Sequence, residues 1–145
     1  MATWAEFERD DPELAAFGRE RIEGNVCFQA TLRPDGAPRL HPVSPWIASG
    51  LLLVSFRAGS PKVDEVVRDG RYALHTPMTN HDGVGGEFLV RGWLEQVGDD
   101  HPAVVQRPSQ TSFALASYAM SVEEAVGTTY EGPDESPVYR RWRSP

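Results

Sequence analysis

Two cations separated by a run of strand-like residues carry the most chemistry in this chain. Arg39 opens the extended stretch Arg39-Leu40-His41-Pro42-Val43, and Lys62 follows Ser60-Pro61, where a helix should begin. A helix start leaves backbone N–H groups without intrahelical partners, and its dipole favours negative charge, so a lysine there is misplaced unless an anion joins it. An arginine from a neighbouring strand would complete a grip for one phosphorylated ligand. Taken singly, Arg39 fits an exposed strand residue paired with a carboxylate and Lys62 an ordinary first-turn lysine. Their company points to phosphate.

Other chemistries find less support. His41, His75, His81 and His101 do not stand at the spacing that puts two metal ligands on one face. Gly83-Val84-Gly85-Gly86 is not followed by Lys-Ser/Thr, so it reads as a hairpin loop rather than a phosphate loop. No G-x-S-x-G elbow occurs, and Cys27 falls mid-strand, away from any helix start that would activate a thiol. Hydrolase chemistry lacks a nucleophile.

The elements that must hold the two cations follow from periodicity and caps. Thr3 with Glu6 forms a capping box, and Asp11-Pro12 starts a second helix through Leu14, Phe17 and Ile22 that stops at Gly24. From Val26 the period becomes two: Val26, Phe28, Ala30 and Leu32 alternate with Cys27, Gln29, Thr31 and Arg33, as in a strand with one buried face. Pro34-Asp35-Gly36 turns the chain into an extended Pro38 to Val43, where prolines predict an edge or bulged strand. Leu51 to Phe56 is a strongly apolar strand, and Ser60-Pro61 opens a helix with Val63, Val66 and Val67 on one face, ending at Gly70.

Further strands are expected at Tyr72 to Thr76, Phe88 to Val97, Tyr118 to Val122, Ala125 to Tyr130 and Val138 to Trp142. Gly92 marks a bulge or close backbone approach, and Trp93 reads as core. A short helix or irregular connection is expected from Asp99 to Gln110. Short turns between strands argue for an antiparallel sheet closing towards a barrel.

Composition narrows the class. At 145 residues the chain suits one domain, and 40% hydrophobic residues suit a globular fold. No apolar run approaches the roughly 18 residues of a membrane span, and the N-terminus lacks a secretory pattern; both place the protein in the cytoplasm, off the membrane. The single cysteine excludes an internal disulfide. A net charge of −7 opposes binding to nucleic acid or anionic lipid, and Arg140-Arg141-Trp142-Arg143 alone lacks the extended basic surface nucleic acid needs.

Four stretches in order, Ala30 to Val43, Gly59-Ser60-Pro61-Lys62-Val63, Arg71-Tyr72-Ala73-Leu74-His75 and Glu87 to Gly92, resemble the pyridoxamine 5′-phosphate oxidase-like family of FMN-binding split barrels. The resemblance covers about residues 12 to 98, with weaker support at Tyr139-Arg140-Arg141-Trp142. It implies a mainly β fold, a six-stranded antiparallel Greek-key split barrel with a few flanking helices, that forms a homodimer with a flavin in each of two clefts between subunits. By the same resemblance Arg39 and Lys62 hold the flavin phosphate, helped by the Ser60 hydroxyl. Main-chain groups near Val43, Ser44, Ser55 and Phe56 border the ring, and Trp142 borders the cofactor or the dimer interface.

The implied activity is an FMN-dependent oxidoreductase taking hydride from NAD(P)H to a small-molecule substrate. One departure matters. In the vitamin B6 enzyme of this family a lysine that binds the substrate phosphate ends the second-strand motif, and a C-terminal Arg-x-His completes that site; here Ser44 and a tail without histidine stand instead. This argues against pyridoxamine phosphate as substrate. Three other readings stay open: a related reductase using the deazaflavin F420, a non-catalytic flavin- or haem-binding protein, and a barrel that serves only as a dimeric interaction module.

Overall fold

Caps decide the two N-terminal helices in the computed structural model, which describes all residues, 1–145. The Thr3 hydroxyl accepts from the Glu6 N–H at 3.3 Å while the Glu6 carboxylate accepts from the Thr3 N–H at 2.7 Å, closing a capping box on α1 (Trp4–Asp10). Asp11 accepts from the Leu14 N–H at 3.1 Å and Pro12 takes the first position of α2 (Pro12–Ile22). Gly24, at φ 74°, turns the chain out of the helix. The last helix of the set, α4, is a single turn at Pro102–Val105.

Nine strands form one antiparallel sheet: β1 (Cys27–Leu32), β2 (Pro38–Val43), β3 (Trp46–Ala48), β4 (Leu51–Arg57), β5 (Arg71–His75), β6 (Glu87–Val97), β7 (Leu115–Met120), β8 (Glu124–Thr129) and β9 (Val138–Arg143). Helix α3 (Pro61–Arg68) links β4 to β5. The architecture is the expected split barrel, mainly β with flanking helices, although the strands number nine rather than six because three-residue β3 and the β8–β9 hairpin extend the sheet. The Tyr118 to Val122 strand falls earlier, at Leu115–Met120, because Val122 leaves the ladder to bridge Ala2.

Long β6 organises the sheet. Its first half pairs with β8 and its last four residues with β7, along one edge, while β5 takes the other. The corner between β7 and β8 crosses β6 at Gly92, where a Cβ would lie 2.1 Å from the Ser121 carbonyl oxygen. Only glycine fits. Trp93 corrects the core expectation: it is 40% exposed, because odd positions of β6 here face outward with Arg91 and Glu95.

The ends of the sheet define the split. β2 and β3 follow one another in the chain yet stand at opposite ends of the order β2-β1-β5-β6-β7-β4-β3. β3 covers only Leu51 to Leu53 of β4, so Val54 to Arg57 are paired on one side alone, by β7. The free edge of β2 and this free stretch of β4 come together across the split, with the His41 and Phe56 ring centroids 5.6 Å apart.

Strand β1 reverses the expected faces. Cys27, Gln29 and Thr31 point inward, whereas Val26 and Phe28 are 53% and 46% exposed. Register explains this: pairing sets Gln29 against His41 on one side and Leu74 on the other, so the neighbours' inward faces carry the polar residues in with them. On α3, Val63 and Val66 pack inward, but Val67 is exposed and Glu65 takes the buried place.

Candidate functional site

Basic groups gather beneath the start of α3. Ser60 caps the helix, its hydroxyl accepting from the Lys62 N–H at 3.3 Å. From β2, Arg39 donates two hydrogen bonds to the buried Glu65, Nε to Oε2 at 2.7 Å and Nη2 to Oε1 at 2.8 Å. This bidentate bond holds the Glu65 carboxyl below its usual range. Arg39 therefore has the carboxylate partner that its position alone would suggest, with Nη1 left over.

Lys62 has no such partner. Its ammonium stands 5.1 Å from the Phe56 ring centroid, and burial, then the Arg39 charge, holds its pKa below the usual lysine range. His41 completes the group: burial, then Lys62 and Arg39, push its pKa down to about 4, so it is neutral at pH 7. Its Nε2 lies 3.2 Å from the Gln29 Oε1. Around it the buried atoms Gln29 Nε2, Thr31 Oγ1, His41 Nδ1 and Tyr118 Oη have no hydrogen-bond partner. Arg39 is paired with a buried carboxylate and Lys62 with none, so an anion beside Lys62 would lower the electrostatic cost of the group.

A cleft of about 550 Å³ opens at the exit of β2 and on the face of β4 opposite Phe56. Val43 and Ser44 at the exit of β2, Ser55 on β4, Trp46, Arg57 and Arg107 are among its lining residues. Ser55 and Ser117 hydroxyls lie 2.8 Å apart, and Arg107 Nη1 reaches Ser55 Oγ at 3.4 Å. Phe56, next to Ser55, points the other way, into the core beside Lys62. The four residue steps from Arg39 to Val43 span about 13 Å at strand rise, so an elongated ligand could reach from the cations to the cleft along β2.

The residues singled out by sequence thus fall into three places. Arg39, Phe56, Ser60 and Lys62 surround the start of α3, while Val43, Ser44 and Ser55 border the cleft. Trp142 lies elsewhere, on β9, with its ring centroid 5.0 Å from that of Phe7. Sequence reasoning passed over Glu65, Arg57 and Arg107. A carboxylate between Val63 and Val66 on the apolar face of α3 was a usable signal, and so was Arg57 alternating with Ser55 opposite Val54 and Phe56. Arg107 lies in an aperiodic connection and gave none. The Cys27 thiol, buried on β1, is pushed up to about 11, away from the range of a reactive thiolate.

No protein-family model matches the chain, and no curated protein does. Solved structures share its architecture. A haem-binding protein from Mycobacterium smegmatis superposes with a TM-score of 0.64 at 15% identity, over 88% of this chain and 56% of that one. The chain therefore spans little more than half the length of that protein. An F420 reductase gives 0.57 at 16% identity, covering 72% of this chain and 91% of the reductase. A Clostridium acetobutylicum protein of the pyridoxinephosphate oxidase family, related to general stress protein 26, gives 0.55 at 11% identity over 94% of each chain. What the chain shares with these proteins is the split-barrel fold.

Proposed function

We propose that this split barrel binds FMN along the open side of the sheet, at a cleft completed by a second subunit, and works as a flavin-dependent oxidoreductase. The observation that carries the reading is Lys62: a partly buried cation with no carboxylate partner, beside Arg39, where two strands leave their edges free. Lys62 and the spare Nη1 of Arg39 would hold the phosphate, and the Ser60 hydroxyl, already accepting from Lys62 N–H, could still donate to it. Main-chain groups at the ends of β2 and β4 would orient the ring. The chemistry supplied by bound FMN is two-electron transfer as hydride, from a reduced nicotinamide to a small-molecule acceptor.

The protein's own part would be to fix the ring, exclude water and leave one face open, so no side-chain acid or base is required. The same grip would suit F420, and an F420 reductase shares the fold. A haem reading fares worse: the cleft lining contains no histidine, cysteine, methionine or tyrosine to ligate iron. The second subunit has a candidate seat in Val26, Phe28 and Leu40, which leave an apolar patch on the outer face of β1 and β2.

Titration of the purified protein with FMN and with F420, followed by flavin fluorescence and melting temperature, tests the proposal. FMN should raise the melting temperature, and NADPH should bleach the bound flavin until an acceptor restores its colour. Absence of binding by either cofactor would overturn it.

A further inference from the structure

We infer that Lys62 is a nucleophilic amine which, when no flavin fills the grip, captures a small phosphorylated aldehyde as an imine. The inference goes beyond the flavin reading and stands on the grip's own residues. Lys62 is the only lysine of the chain, and the other thirteen of its fourteen Lys and Arg side chains are arginines. For holding a phosphate an arginine would serve at least as well, since its planar fork donates two parallel hydrogen bonds and keeps its charge. What a lysine alone offers is an amine that can lose its proton.

The surroundings favour that neutral amine. Lys62 is half-buried at the second position of α3, where the free N–H groups of the first turn already carry partial positive charge. Burial, then the like charge of Arg39, holds its pKa below the lysine range. Glu65, three residues on, spends both carboxylate oxygens on Arg39, and His41 is neutral at pH 7. The Phe56 ring, with its centroid 5.1 Å from Nζ, is the one neighbour that attracts a cation. An ordinary lysine is neutral in about one molecule in a thousand near pH 7.5, so lowering its pKa multiplies the reactive form.

The step needs no redox partner. The Nζ lone pair adds to the aldehyde carbon, the two amine protons leave with the carbonyl oxygen as water, and a C=N bond joins Nζ to that carbon. Hydrolysis reverses it. The spare Nη1 of Arg39 and the Ser60 hydroxyl would hold the phosphate, which leaves the amine free to react. A flavin phosphate on the same groups would restore the ammonium form by supplying the missing anion, so the two ligands exclude each other.

The test exposes the protein, at about pH 7.5, to glyceraldehyde 3-phosphate or to uncharged glyceraldehyde, with Nα-acetyllysine amide in the same solution as reference amine. Cyanoborohydride traps the imines, and peptide mass mapping locates them. Lys62 should be labelled faster than the reference amine. The phosphorylated aldehyde should label it at about tenfold lower concentration than glyceraldehyde, since a charge-assisted hydrogen bond contributes about one decade in affinity. Lys62→Arg should lose the adduct while melting with the parent, and saturating FMN should suppress labelling of the parent. No adduct at Lys62, or one formed no faster than on the reference amine, overturns the inference, and FMN binding in that same protein would leave the flavin reading intact. Equal labelling by the two aldehydes also overturns it, as does an undiminished adduct in Lys62→Arg. Selective labelling that persists under saturating FMN, or in a protein that binds no FMN, upholds the amine and counts against the flavin reading alone.

Discussion

The Arg39 charge, after burial, lowers the pKa of Lys62, whereas Arg39 itself is held charged by its bond to Glu65. Replacing both cations, Arg39→Ala with Lys62→Ala, should weaken FMN binding about a hundredfold or more in a fluorescence titration, at one decade for each charge-assisted contact. His41 makes a separate prediction. Its folded pKa of about 4 lies below the ordinary 6.5, so the unfolded chain takes up its proton first. The stability gained by a neutral His41 is present above pH 6.5 and is lost as pH falls towards 4. Melting temperatures measured from pH 7 to 4 should fall less steeply for His41→Gln than for the parent, and parallel curves would refute this. The two cations were legible because a lysine beside Ser-Pro contradicts the helix dipole. Arg107 was not, because it sits in a segment with no period, whereas Glu65 was announced by a carboxylate standing inside the apolar face of α3.

At the scale of elements, caps and glycines were read more successfully than strand faces. Thr3, Asp11 and Ser60 each cap the helix expected of them. Strand β1 turned its polar side inward because a strand's orientation is settled by register with β2 and β5, which alternation within one strand cannot reveal. Gly92 shows the opposite case, a residue whose type announced a contact that only the sheet could identify. A methyl group there meets a backbone carbonyl that cannot rotate away, so Gly92→Ala should destabilise the protein by about 1–3 kcal/mol in chemical denaturation, the usual range for overpacking. A change within about 0.5 kcal/mol would mean that the crossing is loose.

For the whole molecule, the apolar patch of Phe28 and Leu40 decides whether one chain suffices. The proposed dimer should sediment at twice the monomer mass, and Phe28→Glu with Leu40→Glu should return it to the monomer and reduce FMN affinity in parallel. Retention of the dimer would move the interface elsewhere. No helix is long and apolar enough to cross a bilayer. Barrel closure and the split were legible from short strands and turns together with the family resemblance. The contribution of the proposed second subunit lies outside any single chain's periodicity.

The contacts that join the two ends of the chain bear on how it is made. Trp142 packs on Phe7, and Arg140 bonds Asp11 from 129 residues away. A ribosome delivers α1 and α2 well before β9, so their apolar side chains wait through the synthesis of the intervening strands for this cover. Closing so long a loop adds little entropy beyond a shorter one, but it postpones the final contacts until the tail has emerged. Strand β9, made after the whole of the sheet between, is the one that seals α1.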